Sequence, residues 1–206
     1  MGDVHMSEIR IMKKPDWVSW DNVQECQRKA HEVNRKKGVD MNCSHLTGEQ
    51  LKKDVGDGIC FVALDGKTVV GTCSYKNSSI KRWWCKGNSA YLCMDAVIPE
   101  YQGLKIYSQL CEVRNESIEK DARATTIWIN TAEKNTKLQQ IYLKNGYQRV
   151  QFSYTGPEAL YYSVILAKWP KMTTVERSYL RLMYWLSKLV IKTIWKPGKR
   201  LRFSIG

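Results

Sequence analysis

Apolar positions along this chain recur at two periods, two residues and about 3.6, and the changes from one to the other mark the predicted elements. The stretch "SEIRIMKK" sets Ile9 and Ile11 on one side and reads as a first strand. In "SWDNVQECQRKAHEVNRKKG", Val23, Cys26, Ala30 and Val33 fall at helical spacing, and Gly38 is the stop. "TGEQLKKDV" opens with the capping-box pair Thr47 and Gln50, so a short second helix follows. "GICFVALDGKTVVGTCSYK" holds two β-rich runs around "LDGK", an Asp-Gly hairpin turn. "NSAYLCMDAV" is a further strand, and a helix is expected from Leu104 to Asp121. "ATTIWIN" gives another strand, and "NTKLQQIYLKNGY" a helix closed by Gly146. "YQRVQFSY" and "LYYSVILAK" read as the last two strands. The strand–helix–strand unit around residues 91 to 130 demands a parallel pair. The expectation is an α/β fold with a mixed sheet and helices on both faces.

Pro170 ends this pattern, which divides the chain into a domain over 1–170 and a tail over 171–206. The tail from 172 onward carries eight basic residues against Glu176 alone, so +7 of the net charge of +13 lies there. Arg177, Arg181, Lys188, Lys192 and Lys196 form a basic stripe beside a wide apolar face that includes Leu182, Trp185, Leu186 and Leu189. Such a helix suits a bilayer interface, and the basic end "KPGKRLRF" would strengthen attraction to anionic lipid. The alternative is a helix packed on its own domain, or on a second copy in a homodimer, with solvated lysines.

Composition narrows the class. With 206 residues, 43% hydrophobic and 26% charged, the chain is globular and large enough for one full core. Its +13 charge favours an anionic partner: nucleic acid, a phosphorylated cofactor or an acidic membrane. The seven cysteines are odd in number and form no C-x-x-C pair, which fits reduced thiols in a cytoplasmic protein better than disulfides or zinc. His5, His31 and His45 lack ligand spacing, so no metal is expected. No signal peptide is recognisable, and no run of about 18 apolar residues would span a membrane.

Two motifs then carry a resemblance. "VIPEYQGLKIYSQL" is similar to V-x-P-x-x-[RQ]-G-x-G-[IL]-[GA]-x-x-L, matching at Val97, Pro99, Gln102, Gly103, Ile106 and Leu110. "NTKLQQIYLKNGY" is similar to N-x-x-A-x-x-[LI]-Y-x-x-x-G-[FY], matching at Asn135, Ile141, Tyr142, Gly146 and Tyr147, with Leu138 in place of alanine. Together, and in this element order, they make residues from about 7 to 169 resemble the GNAT superfamily of acyl-CoA N-acyltransferases. The resemblance implies a mostly antiparallel central sheet whose parallel strand pair splays apart to admit acetyl-CoA as co-substrate. It places the pyrophosphate at the backbone N–H groups of Gln102, Gly103, Leu104, Lys105, Ile106 and Tyr107. The Val97 backbone would pair with the pantetheine, and Asn135 would lie beside that arm. Lys105 and Tyr107 depart from the pattern, which has glycine at the first place and glycine or alanine at the second. Backbone donors survive a side chain whose Cβ points aside, and the Lys105 ammonium adds an attraction to phosphate. The Tyr107 ring must clear the anion or lie along it. The loop is either a working one of altered affinity or a retired one.

The implied chemistry is direct attack of an amine on a thioester. Tyr142 is the implied proton donor to the CoA sulfur, a phenol of pKa about 10 suiting a leaving thiolate; its other reading is a core aromatic. Asp95, a carboxylate in the apolar strand "YLCMDAV", is the candidate base for the amine, or else a buried group satisfied by neighbouring donors. Glu100 is expected to face solvent. Trp83 and Trp84, among Lys81, Arg82 and Lys86, would suit a ring-bearing or anionic acceptor, or else pack at a loop tip. The expected acceptor is a small-molecule primary amine, an amino sugar or glycan precursor if the tail holds the protein at the inner face of a membrane. The competing expectation is a non-catalytic acyl-CoA-binding scaffold tethered through 177–202. A nucleic-acid partner ranks last, because the charge sits on an apolar helix and not in a reading motif.

Overall fold

A computed structural model describes residues 8–36, 39, 41–79, 81–122, 124–154, 162–169 and 171–194. Gly38, Pro170, Lys196 and the end "KPGKRLRF", named above, lie outside these residues, as do the first residue of the first predicted strand and the first two of the last. The chain forms two compact units, Met1–Ile80 with Asn88–Ala124, and Lys81–Gly87 with Thr125–Gly206.

The first unit runs β1 (Arg10–Lys13), α1 (Trp20–Lys36), α2 (Gly48–Val55), β2 (Ile59–Asp65), β3 (Thr68–Ser78), β4 (Ser89–Val97) and α3 (Ile106–Ser117), followed by a π-helical turn, Ile118–Ala122. Its strands lie side by side in chain order, each antiparallel to the next. The hairpin between β2 and β3 closes with Asp65 opposite Thr68. Gly66 there has φ 58°, a value that the first residue of such a two-residue turn needs and that glycine adopts without steric cost. The Thr47 capping box forms in full, each side chain accepting from the other residue's N–H.

Two neighbouring residues of β3 explain why helices cover both faces. A Cβ at Gly71 would lie 3.1 Å from Leu110 and 3.3 Å from Ile106, so its missing side chain lets α3 close onto that face. Thr72 points the opposite way, as pleating requires, and meets Gln27 of α1 at 2.6 Å. The buried positions of α1 correct one expectation. Val33 is 40% exposed, while Gln27 and His31 are buried beside Val23, Cys26 and Ala30. A polar pair therefore occupies part of the face that an apolar pattern would have filled.

The second unit contains β5 (Thr126–Ala132), α4 (Thr136–Lys144), β6 (Gln148–Tyr154), β7 (Tyr162–Lys168) and α5 (Thr174–Ile194). β7 lies between β5 and β6 and is antiparallel to both. The segment 81–87 is stitched to it by the Lys86 N–H donating to Thr126 Oγ1 (2.9 Å) and by buried Trp84, whose Nε1 donates to Gln151 Oε1 (3.0 Å). α5 packs on β6, where Ser187 Oγ accepts the Phe152 N–H at 3.0 Å and Leu180 and Tyr184 are buried.

Candidate active site

The centre of the first unit's site is an irregularity in β4. Thr72 pairs with Ala96 and Ser74 with Cys93, so Met94 and Asp95 together oppose the single residue Cys73. This is a β-bulge, and Met94 takes the left-handed φ of 56°, which is unusual for any residue but glycine. Its carbonyl is held from the α1 side by two donors, Gln27 Nε2 at 2.9 Å and Thr72 Oγ1 at 2.8 Å. Both of those residues are fully buried. The other end of the Gln27 amide, Oε1, accepts from His31 Nε2 at 3.2 Å, and the Asn34 amide donates to His31 Nδ1 at 3.2 Å. That pattern requires neutral imidazole. Burial lowers the His31 pKa to about 4, against a smaller opposing pull from the Asp95 charge.

From the α3 side, Asp95 receives two further donors. The Tyr107 hydroxyl donates to its Oδ2 at 2.7 Å, and the Arg114 guanidinium forms a short ion pair with Oδ1. The side chains of Arg114 and Asp95 are 1% and 5% exposed. Arg114 also meets Cys111 Sγ at 3.4 Å. The structure thus brings two of the sequence's site residues, Asp95 and Tyr107, into direct contact. It adds Arg114, Gln27 and Thr72, which pattern reading passed over.

The loop after β4 is braced at both ends. Pro99–Tyr101 forms a 3-10 turn, the Gln102 N–H returns to the Pro99 carbonyl (3.1 Å), and the Gln102 side chain donates to the Val97 carbonyl (3.0 Å). The Tyr101 hydroxyl donates to Asp65 Oδ2 at 2.5 Å, fixing the turn to the β2–β3 hairpin. Gly103 and Lys105 then take φ values of 91° and 61°. Lys105 thus keeps a glycine-like backbone despite its side chain, and it is the N-cap of α3 without any side-chain capping bond. The helical ladder starts with the Gln109 N–H to the Lys105 carbonyl (3.1 Å), so the N–H groups of Ile106, Tyr107 and Ser108 precede the first intrahelical bond. Ile106 is buried and anchors the start; Leu104, Lys105 and Glu100 are exposed. An uncapped helix N-terminus with a lysine at its mouth is a setting for an anion.

In the second unit, Asn135 caps α4, its Oδ1 accepting the Leu138 N–H at 3.3 Å. Tyr142 is buried on the same helix with its ring edge-on to Tyr147, centroids 4.9 Å apart. Gly146, at φ 85°, lets the Tyr147 N–H return to the Tyr142 carbonyl (3.1 Å) and closes the helix. Of the two tryptophans considered for an acceptor, Trp84 is core and edge-on to Trp128, while Trp83 remains 49% exposed and meets Tyr179 of α5. Burial pushes the Cys26, Cys43 and Cys93 thiols up to about 12 and Cys60 and Cys111 up to about 11, and it raises Cys73 as well. None of these six is poised as a thiolate nucleophile.

Known proteins supply the remaining context. Residues 56–149 match the model of the acetyltransferase (GNAT) domain. No curated protein matches the sequence. A GNAT-family acetyltransferase from Staphylococcus aureus Mu50 superposes with a TM-score of 0.60 at 16% identity, over 80% of this chain and 100% of that one. The ribosomal-protein-S18-alanine N-acetyltransferase from Escherichia coli gives 0.59 at 15% identity, over 81% and 96%. A chain of the NatC complex bound to Gag peptide and CoA gives 0.59 at 14%, over 81% and 100%. The mixed, mostly antiparallel α/β fold expected from the sequence is the fold these structures share. Over residues 56–149 the chain is similar to the acetyltransferase (GNAT) domain, and the superposed structures share its fold.

Proposed function

We propose that this chain is an N-acetyltransferase that moves the acetyl group of acetyl-CoA directly to a primary amine of a small molecule. The observation that carries this reading is the start of α3, uncapped and with Gly103 and Lys105 both left-handed, on a motif similar to the family's pyrophosphate loop. The residues fit the cofactor. The Gln102 N–H is already bonded to the Pro99 carbonyl, so the N–H groups from Gly103 to Tyr107 would meet the pyrophosphate, the Lys105 ammonium would add charge, and Val97 and Asn135 would hold the pantetheine. Acetyl-CoA supplies the activated acyl group as a thioester.

Transfer forms a C–N bond and breaks a C–S bond; the amine loses a proton and the departing sulfur gains one. Tyr142 is the proposed donor of the second proton. An alkylammonium of pKa about 10.4 must first lose its own, and Asp95 is the carboxylate proposed to take it through water. The six raised thiols favour direct transfer over an acyl-cysteine intermediate.

Release of free CoA thiol over a panel of amines, with amino sugars included, tests the proposal. Turnover on at least one amine, reduced by about a hundredfold in Tyr142→Phe, supports it. A second reading, acyl-CoA binding without turnover, is favoured by Tyr107 standing where the family has a small residue. Acetyl-CoA binding with no turnover on any amine would select that reading.

A further inference from the structure

α5 has two faces of opposite character. Leu180, Tyr184 and Ser187 turn toward β6, while Val175, Leu182, Leu186, Leu189 and Val190 lie on the far side, between 46% and 78% exposed. These five recur at spacings of 7, 4, 3 and 1, a stripe along four turns of one helix face. Tyr179, 53% exposed, lies within that stripe, and Trp185, 63% exposed, flanks it. An apolar strip that carries amphipathic rings matches the profile of a lipid headgroup boundary.

The charges beside the strip are of one sign. Arg177 and Arg181 are exposed, and with Lys188 and Lys192 they line the side of the helix beyond Trp185, Lys192 and Arg181 nearest to it and Arg177 farthest. Lys188 and Lys192 meet Glu133 there at 3.0 and 2.9 Å. The sole acid of α5, Glu176, is engaged by Lys86 and by Thr173, and four more basic residues and no acid follow the helix in sequence. A second copy of the chain packed on this face would set its own basic residues against these. Among the described residues no helix is long and apolar enough to cross a membrane, so the geometry is that of lying on a surface.

We propose that the outer face of α5 docks in the plane of an anionic bilayer surface, with Leu182, Leu186 and Leu189 entering the acyl boundary and Arg177 and Arg181 meeting lipid phosphates. This holds independently of the acetyl-transfer reading.

The test is flotation of the full chain with phosphatidylcholine vesicles, with and without phosphatidylserine, at low and at high salt, in the absence of acyl-CoA. The proposal expects binding to the phosphatidylserine vesicles alone, weakened by salt. Leu182→Ser with Leu189→Ser, and separately Arg177→Glu with Arg181→Glu, should each weaken it by about tenfold or more. All four residues are exposed, and unchanged thermal melting of the variants would verify folding. Absence of binding to phosphatidylserine vesicles at low salt would overturn it. So would binding that both double variants leave unchanged, or a lipid-free dimer that Leu182→Ser with Leu189→Ser breaks while no vesicle is bound.

Discussion

The Tyr107 hydroxyl donates to Oδ2 of Asp95 at 2.7 Å, tying the first turn of α3 to the bulge of β4. A large ring at a position where the motif that this loop resembles calls for glycine or alanine is thus anchored at its far end. The bond also makes Tyr107 part of the packing between α3 and the sheet. Tyr107→Phe, which keeps the ring and removes the donor, is expected to lower unfolding stability by about 1–3 kcal/mol, read from urea denaturation.

Asp95 and Arg114 form a buried ion pair, and burial makes the loss of one partner far costlier than the loss of both. Asp95→Ala should cost about 3–5 kcal/mol, because the guanidinium then lies buried without its counter-charge. The double replacement Asp95→Leu with Arg114→Met should recover most of that loss in the same denaturation measurement. Turnover by a folded Asp95→Asn separates the two roles considered for this carboxylate: activity near wild type assigns it to structure, and loss of activity with folding retained supports the base.

His31 gives a pH dependence with a definite sign. Its folded pKa is about 4, below the ordinary 6.5, so the unfolded chain takes up the proton first on acidification. Stability conferred by the neutral ring is complete above 6.5 and is lost as pH falls toward 4, by up to about 3 kcal/mol. His31→Gln should show a shallower decline over that window when chemical denaturation is repeated across pH.

Lys105 holds a left-handed backbone that costs a side-chain-bearing residue about 1 kcal/mol or more. Lys105→Gly is expected to raise the melting temperature slightly. The same change removes the ammonium, so affinity for acetyl-CoA should fall at low salt and converge with wild type as salt is added.

Much of the fold was legible because local signals agreed with one another. The Thr47 capping box, the Gly66 hairpin and the Gly146 helix end each formed where the residue types call for them. The supports of the site were not legible, for a physical reason. Gln27, Thr72 and Arg114 are polar residues in buried places, and a pattern of apolar positions assigns them to the surface by default. Their partners are distant in sequence, 67 residues from Gln27 to Met94, and only the folded bulge gives them a purpose. The strand irregularity itself was hidden inside "YLCMDAV", which alternates no differently from a regular strand. Trp84 was misleading in the opposite sense, because a Trp-rich, basic loop suggests a binding surface while this ring fills the core. Of the readings offered for the tail, packing on its own unit holds for one face of α5, and the other face is exposed.

Calorimetric titration of the purified chain with acetyl-CoA, beside a Tyr107→Gly variant, tests the central claim most directly. A working loop predicts saturable, micromolar binding by the wild-type chain. No binding by wild type, with binding restored in Tyr107→Gly, would contradict the account and mark the loop as closed by its own tyrosine.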